Sequence, residues 1–152
     1  MWRIDRVADK IKRGDISIGT HSMFGWGGGM LTELYGTVGF DMVWIDTEHG
    51  AIDKSTLMNM LIGCAVNNKA AFVRVAWNDK VLAKPILDMG ADGIIFPMVL
   101  DAEQARAAVA ACQYPPDGVR GWGPVRNMKY GAVGLDAYKE QAKKVWTVIQ
   151  IE

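Results

Sequence analysis

The sequence predicts an α/β fold with about five parallel strands, arranged as a TIM-type barrel or a doubly wound sheet. Three observations carry this expectation. Short apolar segments alternate with segments of helical periodicity. No G-x-G-x-x-G fingerprint of a dinucleotide fold joins the first strand to the first crossover helix. Polar side chains collect at the ends of strands, where an α/β barrel carries its active site.

In chain order, Ile4, Val7, Ala8 and Ile11 recur at helical spacing and Gly14 ends that segment. Ile16 to Thr20 reads as the first strand. Gly25-Trp26-Gly27-Gly28-Gly29 follows with the wrong spacing for a phosphate fingerprint. It reads as a flexible loop leading into a helix, with a ligand-lining role as the alternative. Met30 to Val38 is helical and stops at Gly39. Met42 to Asp46 is a near-continuous apolar run, the pattern of a strand buried on both faces. Asp53 is placed to cap a helix reaching Val66, with Leu57, Met60, Leu61, Cys64 and Ala65 on one face. Ala71 to Val75 is the third strand. Asn78 or Asp79 caps a helix ending near Met89-Gly90, which Pro85 should kink or restart. Gly93 to Pro97 is the fourth strand, and Asp101 caps an alanine-rich helix to Cys112. A loop rich in Pro and Gly runs from Tyr114 to about Gly134. A last helix reaches Lys144, and Val145 to Ile151 is the fifth strand. Single helices between strands imply βαβ units, and right-handed crossovers leave a barrel or a doubly wound sheet.

Bulk composition sets the remaining bounds. Half of the 152 residues are hydrophobic, enough for one core, and 17 basic residues balance 17 acidic ones. A net charge of zero gives no electrostatic argument for nucleic acid or an anionic membrane as partner. The start, MWRIDRVADKIKRGD, has no apolar signal core, and no apolar stretch approaches the roughly 20 residues of a membrane span. Cys64 and Cys112 lie in helical patterns without disulfide or zinc spacing, so they read as reduced core cysteines of a cytoplasmic protein.

Strand two ends in Asp46, followed by Thr47, Glu48 and His49. Arg74 interrupts Phe72-Val73-Arg74-Val75, and strand five ends in Gln150 and Glu152. A charge inserted among strand hydrophobics costs several kcal/mol unless it is paired or ligated. Each residue has a structural alternative: Arg74 half-exposed or paired with an acid, Asp46 capping a turn, His49 a hydrogen-bonded loop histidine, Glu152 a solvated end. Together they suggest acid–base chemistry on a small carboxylate. An Asp and a His three residues apart can form an oriented base, an Arg binds carboxylate in bidentate fashion, and a Glu is a hard ligand for a divalent cation. No strand carries a lysine, which a Schiff-base aldolase would need.

At these residues the sequence resembles the HpcH/HpaI family of class II pyruvate aldolases. The matching segments are Gly39-Phe40-Asp41 through Ile45-Asp46-Thr47-Glu48-His49, Val73-Arg74-Val75 with Trp77-Asn78-Asp79, Leu87-Asp88-Met89-Gly90-Ala91, Pro97-Met98-Val99, Tyr114-Pro115-Pro116-Asp117-Gly118-Val119-Arg120-Gly121, and Gln150-Ile151-Glu152. They run in family order over nearly the whole chain. The resemblance implies a (β/α)8 barrel and a divalent metal, Mg2+, Mn2+ or Co2+, that binds pyruvate or a 2-oxo acid. It implies Glu152 as a metal ligand, Arg74 as the holder of the pyruvate oxygens and the enolate, Gln150 as a wall of the pyruvate pocket, and His49, oriented by Asp46, as base. The implied reaction cleaves a 4-hydroxy-2-oxo acid to pyruvate and an aldehyde. The implied assembly is a homo-oligomer, a hexamer in the full-length family.

The family's second metal ligand, an Asp on the following strand, and three further strands are not in this sequence, which is shorter than the roughly 250 residues of a full barrel. The expectation is therefore a partial barrel domain over residues 1–152, doubtful as a catalyst by itself. Two other readings stand beside the leading one: a sugar-acid (2-dehydro-3-deoxy acid) aldolase of the same fold, and an inactive fragment that serves only in assembly. The D-x-E-H element speaks against a citryl-type lyase. The loop Gly121 to Gly134 is expected to shape aldehyde choice, with Arg120, Arg126 and Lys129 either meeting an acidic acceptor or remaining solvated.

Overall fold

The computed structural model describes residues 2–152, and the chain divides into two compact units, one ending at Val73 and one starting at Arg74. Five strands lie in sequential order, β1-β2-β3-β4-β5, as the α/β reading expects.

The first unit holds α1 (Arg3–Lys12), β1 (Gly19–Ser22), α2 (Gly28–Thr37), β2 (Met42–Asp46), α3 (Lys54–Val66) and β3 (Ala70–Arg74). β1 and β2 are parallel, with Gly19 opposite Met42, His21 opposite Trp44 and Ser22 opposite Ile45. Val43 and Ile45 are fully buried, while Trp44, pointing to the other face, is 36% exposed. The Asp53 carboxylate caps α3 by accepting the Thr56 N–H at 2.7 Å, as its place ahead of the apolar stripe predicts.

Two expectations need correction here. The first strand is not Ile16 to Thr20: pairing begins at Gly19 and runs on through His21 and Ser22. Ile16 and Ile18 alternate as strand residues would but lie ahead of the ladder, 80% and 56% exposed. The paired residues, Gly-Thr-His-Ser, are too polar for a hydrophobic pattern to mark them. The glycine run is also not all loop, because α2 starts inside it at Gly28. A Cβ on Gly29 would lie 2.5 Å from the Asn59 carbonyl oxygen, and one on Gly36 would lie 2.4 Å from Asn67 Cβ. Gly29, Thr32 and Gly36 fall on one helical face, against α3. Buried Thr32 points its hydroxyl at the Met60 and Gly29 carbonyls, 2.8 and 3.0 Å away. Close helix packing thus accounts for Gly29.

Asp41 ties the entry side of this unit together. Its carboxylate meets Lys10 Nζ at 2.7 and 2.8 Å and accepts the Ile18 N–H at 2.9 Å, while its own carbonyl accepts from Ala70 N at 3.3 Å. Burial works to raise the Asp41 pKa, but the bonds from Lys10 and Ile18 and the charges of Lys10 and Lys69 outweigh it, and the net shift is downward. A depressed carboxylate contributes stability that is present above its unfolded pKa and lost as pH falls through the folded value. The stability difference between the native chain and Lys10→Met is therefore expected to be constant at neutral pH, to shrink as pH falls below about 4 and to vanish below the depressed pKa of Asp41. Thermal melts across that range check it; a difference that grows on acidification would contradict the assignment.

In the second unit the exit of β3 runs beside β4 (Gly93–Phe96), with Val75 N donating to the Ile95 carbonyl at 3.1 Å. β5 (Trp146–Ile149) is parallel to β4, from Gly93 opposite Trp146 to Phe96 opposite Ile149. The helices are α4 (Lys80–Asp88), α5 (Ala102–Cys112) and α6 (Leu135–Ala142). Asp79 and Asp101 cap α4 and α5, accepting from Val81 N at 2.7 Å and Gln104 N at 2.8 Å. Pro85 does not break α4: the helix continues to Asp88, and Val81, whose carbonyl would bond to an N–H at position 85, is 63% exposed to solvent.

The loop after α5 is pinned rather than solvated. Arg120 is buried, donates to Asp88 Oδ1 at 3.1 Å and to the Tyr138 hydroxyl at 3.3 Å, and lies 4.4 Å from the Tyr114 ring centre. Arg126 donates to the Met89 carbonyl at the end of α4, and Asn127 Nδ2 to that of Leu87 at 3.1 Å. Of the three loop cations only Lys129 is exposed. Burial of Arg120 follows from its short-range partner Asp88, which sequence order places 32 residues away. Cys64 and Cys112 are buried and form no disulfide. No helix among the described residues is long and apolar enough to cross a membrane.

Candidate active site

Asp46 is the last residue of β2 and is completely buried. Its Oδ1 accepts the backbone N–H groups of Glu48 at 3.0 Å and His49 at 3.3 Å, which shapes the turn after the strand. The chain then folds back tightly: a Cβ on Gly50 would lie 2.1 Å from the Asp46 carbonyl oxygen and 2.5 Å from that of Met23. That return, continued by a bridge between Phe24 and Ala51, lies over the end of β2. Asp46 thus engages His49 through the backbone. The His49 ring is 67% exposed, with Nε2 3.8 Å from Glu48 Oε1.

The other carboxylate oxygen, Asp46 Oδ2, faces His21 Nε2 at 3.3 Å. His21 stands opposite Trp44 in the ladder and packs edge-on against its indole, ring centres 5.2 Å apart. His21, Trp44 and Asp46 share one face of the β1–β2 pair, opposite to the buried Val43 and Ile45. Sequence reasoning missed His21 because the first strand was placed to end at Thr20. The signal available was an extended segment running on into a histidine, parallel to a strand that ends in an acid.

In the second unit Arg74 is the last residue of β3 and half-buried. Its Nη1 donates to Gln150 Oε1 at 3.3 Å, and Gln150 Nε2 in turn donates to Glu152 Oε1. Gln150 is fixed by its backbone just beyond β5: its N–H donates to Phe96 O at 3.0 Å and its carbonyl accepts from Val99 N at 3.2 Å. Arg74, Gln150 and Glu152 are thus brought into one hydrogen-bonded line at the exit ends of β3 and β5. A guanidinium so placed can donate to the oxygens of a small carboxylate and offset negative charge that develops there, whereas the Glu152 carboxylate can only accept.

The HpcH/HpaI aldolase/citrate lyase family model matches residues 29–152. The chain belongs to this family. It is 42% identical over 122 residues to the 2-dehydro-3,6-dideoxy-6-sulfogluconate aldolase of Pseudomonas putida, covering 79% of this chain and 47% of that protein. It is 40% identical over 145 residues to the 4-hydroxy-2-oxo-heptane-1,7-dioate aldolase of Salmonella paratyphi B, covering 95% of this chain and 54% of that one. Its fold superposes on the crystal structure of an HpcH/HpaI aldolase from Desulfitobacterium hafniense with a TM-score of 0.85 at 25% identity, covering 95% of this chain and 56% of the other. The chain spans about half the length of the curated relatives it matches. The HpcH/HpaI family is enzymatic, and these relatives are named as aldolases.

Proposed function

We propose that this chain is part of an aldolase that cleaves 4-hydroxy-2-oxo acids to pyruvate and an aldehyde through a pyruvate enolate. The observation that carries the reading is the Arg74–Gln150–Glu152 line. In the proposed reaction a base removes the 4-hydroxyl proton, the C3–C4 bond breaks, the aldehyde leaves, and the bonding pair becomes the enolate of pyruvate. The Arg74 guanidinium offsets that enolate charge, and Gln150 holds the arginine in place. His49, next to the turn that Asp46 fixes, serves as the base.

A divalent cation, Mg2+, Mn2+ or Co2+, would neutralise enolate charge further, with Glu152 as one ligand. One carboxylate is not a cation site, and no group of three His, Cys, Asp or Glu side chains among the described residues could hold a metal. The described residues therefore do not fit the ion by themselves, and the steps above rest on side chains alone. The same reading carries a homo-oligomer, hexameric where the resemblance holds, and a cytoplasmic location. Exposed Met30 and Leu34 on α2, with exposed Trp26 and Val38 just outside its ends, support the first, and the buried cysteines support the second.

Exchange of pyruvate methyl protons for deuterium tests enolate formation without needing the aldehyde. Protein that carries this chain together with its natural continuation is expected, with added Mg2+ or Mn2+, to exchange pyruvate faster than the metal alone in D2O; exchange at the metal-only rate would sink the reading. A sugar-acid aldolase is the second reading, favoured by the 42% identity to the sulfogluconate aldolase. The two give the same pyruvate and differ in the aldehyde, so product analysis with a 4-hydroxy-2-oxo diacid and a 2-dehydro-3-deoxy sugar acid separates them.

A further inference from the structure

We infer that Met98 is a positioning residue of the Arg74–Gln150–Glu152 line, and that its left-handed backbone seats Gln150 where it holds Arg74. The inference deepens the aldolase reading above and rests on it for the effect on rate. Every residue it uses lies in the second unit.

β4 leaves the sheet through Pro97-Met98-Val99, a segment with no part in the reaction so far. Two features mark it. The first is backbone strain. Met98 has a φ of 54°, a conformation in which a side chain crowds its own carbonyl. The other described non-glycine residues with positive φ are Asn68, a residue type that tolerates it, and Lys129 and Tyr130 in an exposed loop. Met98 instead sits directly beyond a strand, between buried Pro97 and buried Val99. Strain of this kind persists where the surrounding structure over-determines it.

The second feature is register. In a parallel ladder, alternate residues of one strand accept from and donate to the next strand. Phe96 stands opposite Ile149, and its carbonyl accepts the Gln150 N–H at 3.0 Å. A regular continuation would have Met98, two residues on, donate its N–H to the Gln150 carbonyl. The N–H of Val99 does so instead, at 3.2 Å. One extra residue is thus inserted between the two bonds that clamp the Gln150 backbone, as in a bulge. Gln150 Oε1, in turn, accepts from Arg74 Nη1 at 3.3 Å. A β-branched residue at position 98 would favour extended backbone. The exit of β4 would then relax, Val99 would leave the Gln150 carbonyl, and the Gln150 amide would turn away from Arg74. Met98 acts here through Gln150 rather than on substrate.

The test uses protein that carries this chain with its natural continuation. A crystal structure of that protein is expected to show Met98 with positive φ and Val99 N bonded to the Gln150 carbonyl; an extended Met98 overturns the inference before any substitution is made. Met98→Asn and Met98→Gly suit the left-handed backbone and share no side-chain chemistry with methionine. Both are expected to keep most of the pyruvate exchange rate in D2O with Mg2+. Met98→Val is expected to lower the rate at saturating pyruvate roughly tenfold, by shrinking the population with the left-handed exit. In a Gln150→Ala background Met98→Val is expected to lower the rate no further, because the residue it acts through is gone. General damage to the fold would lower the rate in both backgrounds. An equal loss from Asn, Gly and Val at position 98, or from Val with and without Gln150, overturns the role of Met98 and leaves the aldolase reading standing. If the native protein exchanges pyruvate only at the metal-alone rate, the aldolase reading fails and structures of the two variants decide the rest. An Arg74–Gln150 contact kept in Met98→Asn and lost in Met98→Val supports the seating of Gln150; one kept in both overturns it.

Discussion

Arg74→Met is expected to lower the rate of pyruvate methyl-proton exchange by about 10²- to 10³-fold, the usual cost of removing one preorganised donor from a developing oxyanion. Methionine keeps much of the side-chain length and apolar volume in a strand whose preceding residues, Ala70 to Val73, are buried. The substitution therefore removes the charge with little change in packing. Arg74→Lys is expected to recover only a minor part, because an ammonium cannot reproduce the planar fork that reaches a ligand while one arm is held by Gln150. Initial exchange rates by proton NMR, with far-UV circular dichroism as the check on folding, measure both. An Arg74→Met chain that exchanges as fast as the native one would remove Arg74 from the chemistry.

The second large effect concerns stability. Gly63→Ala is expected to destabilise the chain by about 1–3 kcal/mol, the usual range for overpacking. Intrinsic propensity predicts the opposite sign, since alanine in a helix interior is favoured over glycine by about 1 kcal/mol. The clash decides the outcome. A Cβ at Gly63 would sit 2.2 Å from the Gly29 carbonyl oxygen and 2.3 Å from Thr32 Oγ1, so α2 and α3 must move apart and the Thr32–Met60 bond must lengthen. Gly134→Ala is the control. Its φ is −63° and nothing lies within 4 Å of the added carbon, so its effect is expected to be near zero. Denaturant melts of the two variants side by side test the argument. Equal stabilities would mean that α2 is not held as closely to α3 as these distances require.

Much of the fold was legible because strand and helix periods differ and caps are chemically distinct. Asp53, Asp79 and Asp101 each stand before an apolar periodic segment, and each carboxylate accepts an N–H of the first turn. β2 matched its apolar run residue for residue. β1 marks the limit of local pattern: Ile16 and Ile18 have strand-like alternation without strand pairing, whereas Gly19 to Ser22 pair without it. Pairing is a property of two segments, and hydrophobic pattern is a property of one.

The sequence by itself determined the class of fold, the order of its elements and the family to which the chain belongs. It also singled out the polar residues at the strand ends, since a charge in an apolar strand is costly wherever the chain folds. What those residues touch was decided only in three dimensions. Register carries His21 onto the face shared by Trp44 and Asp46 and turns one Asp46 oxygen to it. The return of the chain at Gly50 buries Asp46, and α2 docks on α3 through Gly29, Gly36 and Gly63. Asp88, far away in sequence, takes Arg120 out of solvent. The physical reason is range. Periodicity, capping and turn chemistry act over a few residues and can be read locally. A hydrogen bond between Asp46 and His21, or between Arg74 and Gln150, depends on distances set by every element packed between them.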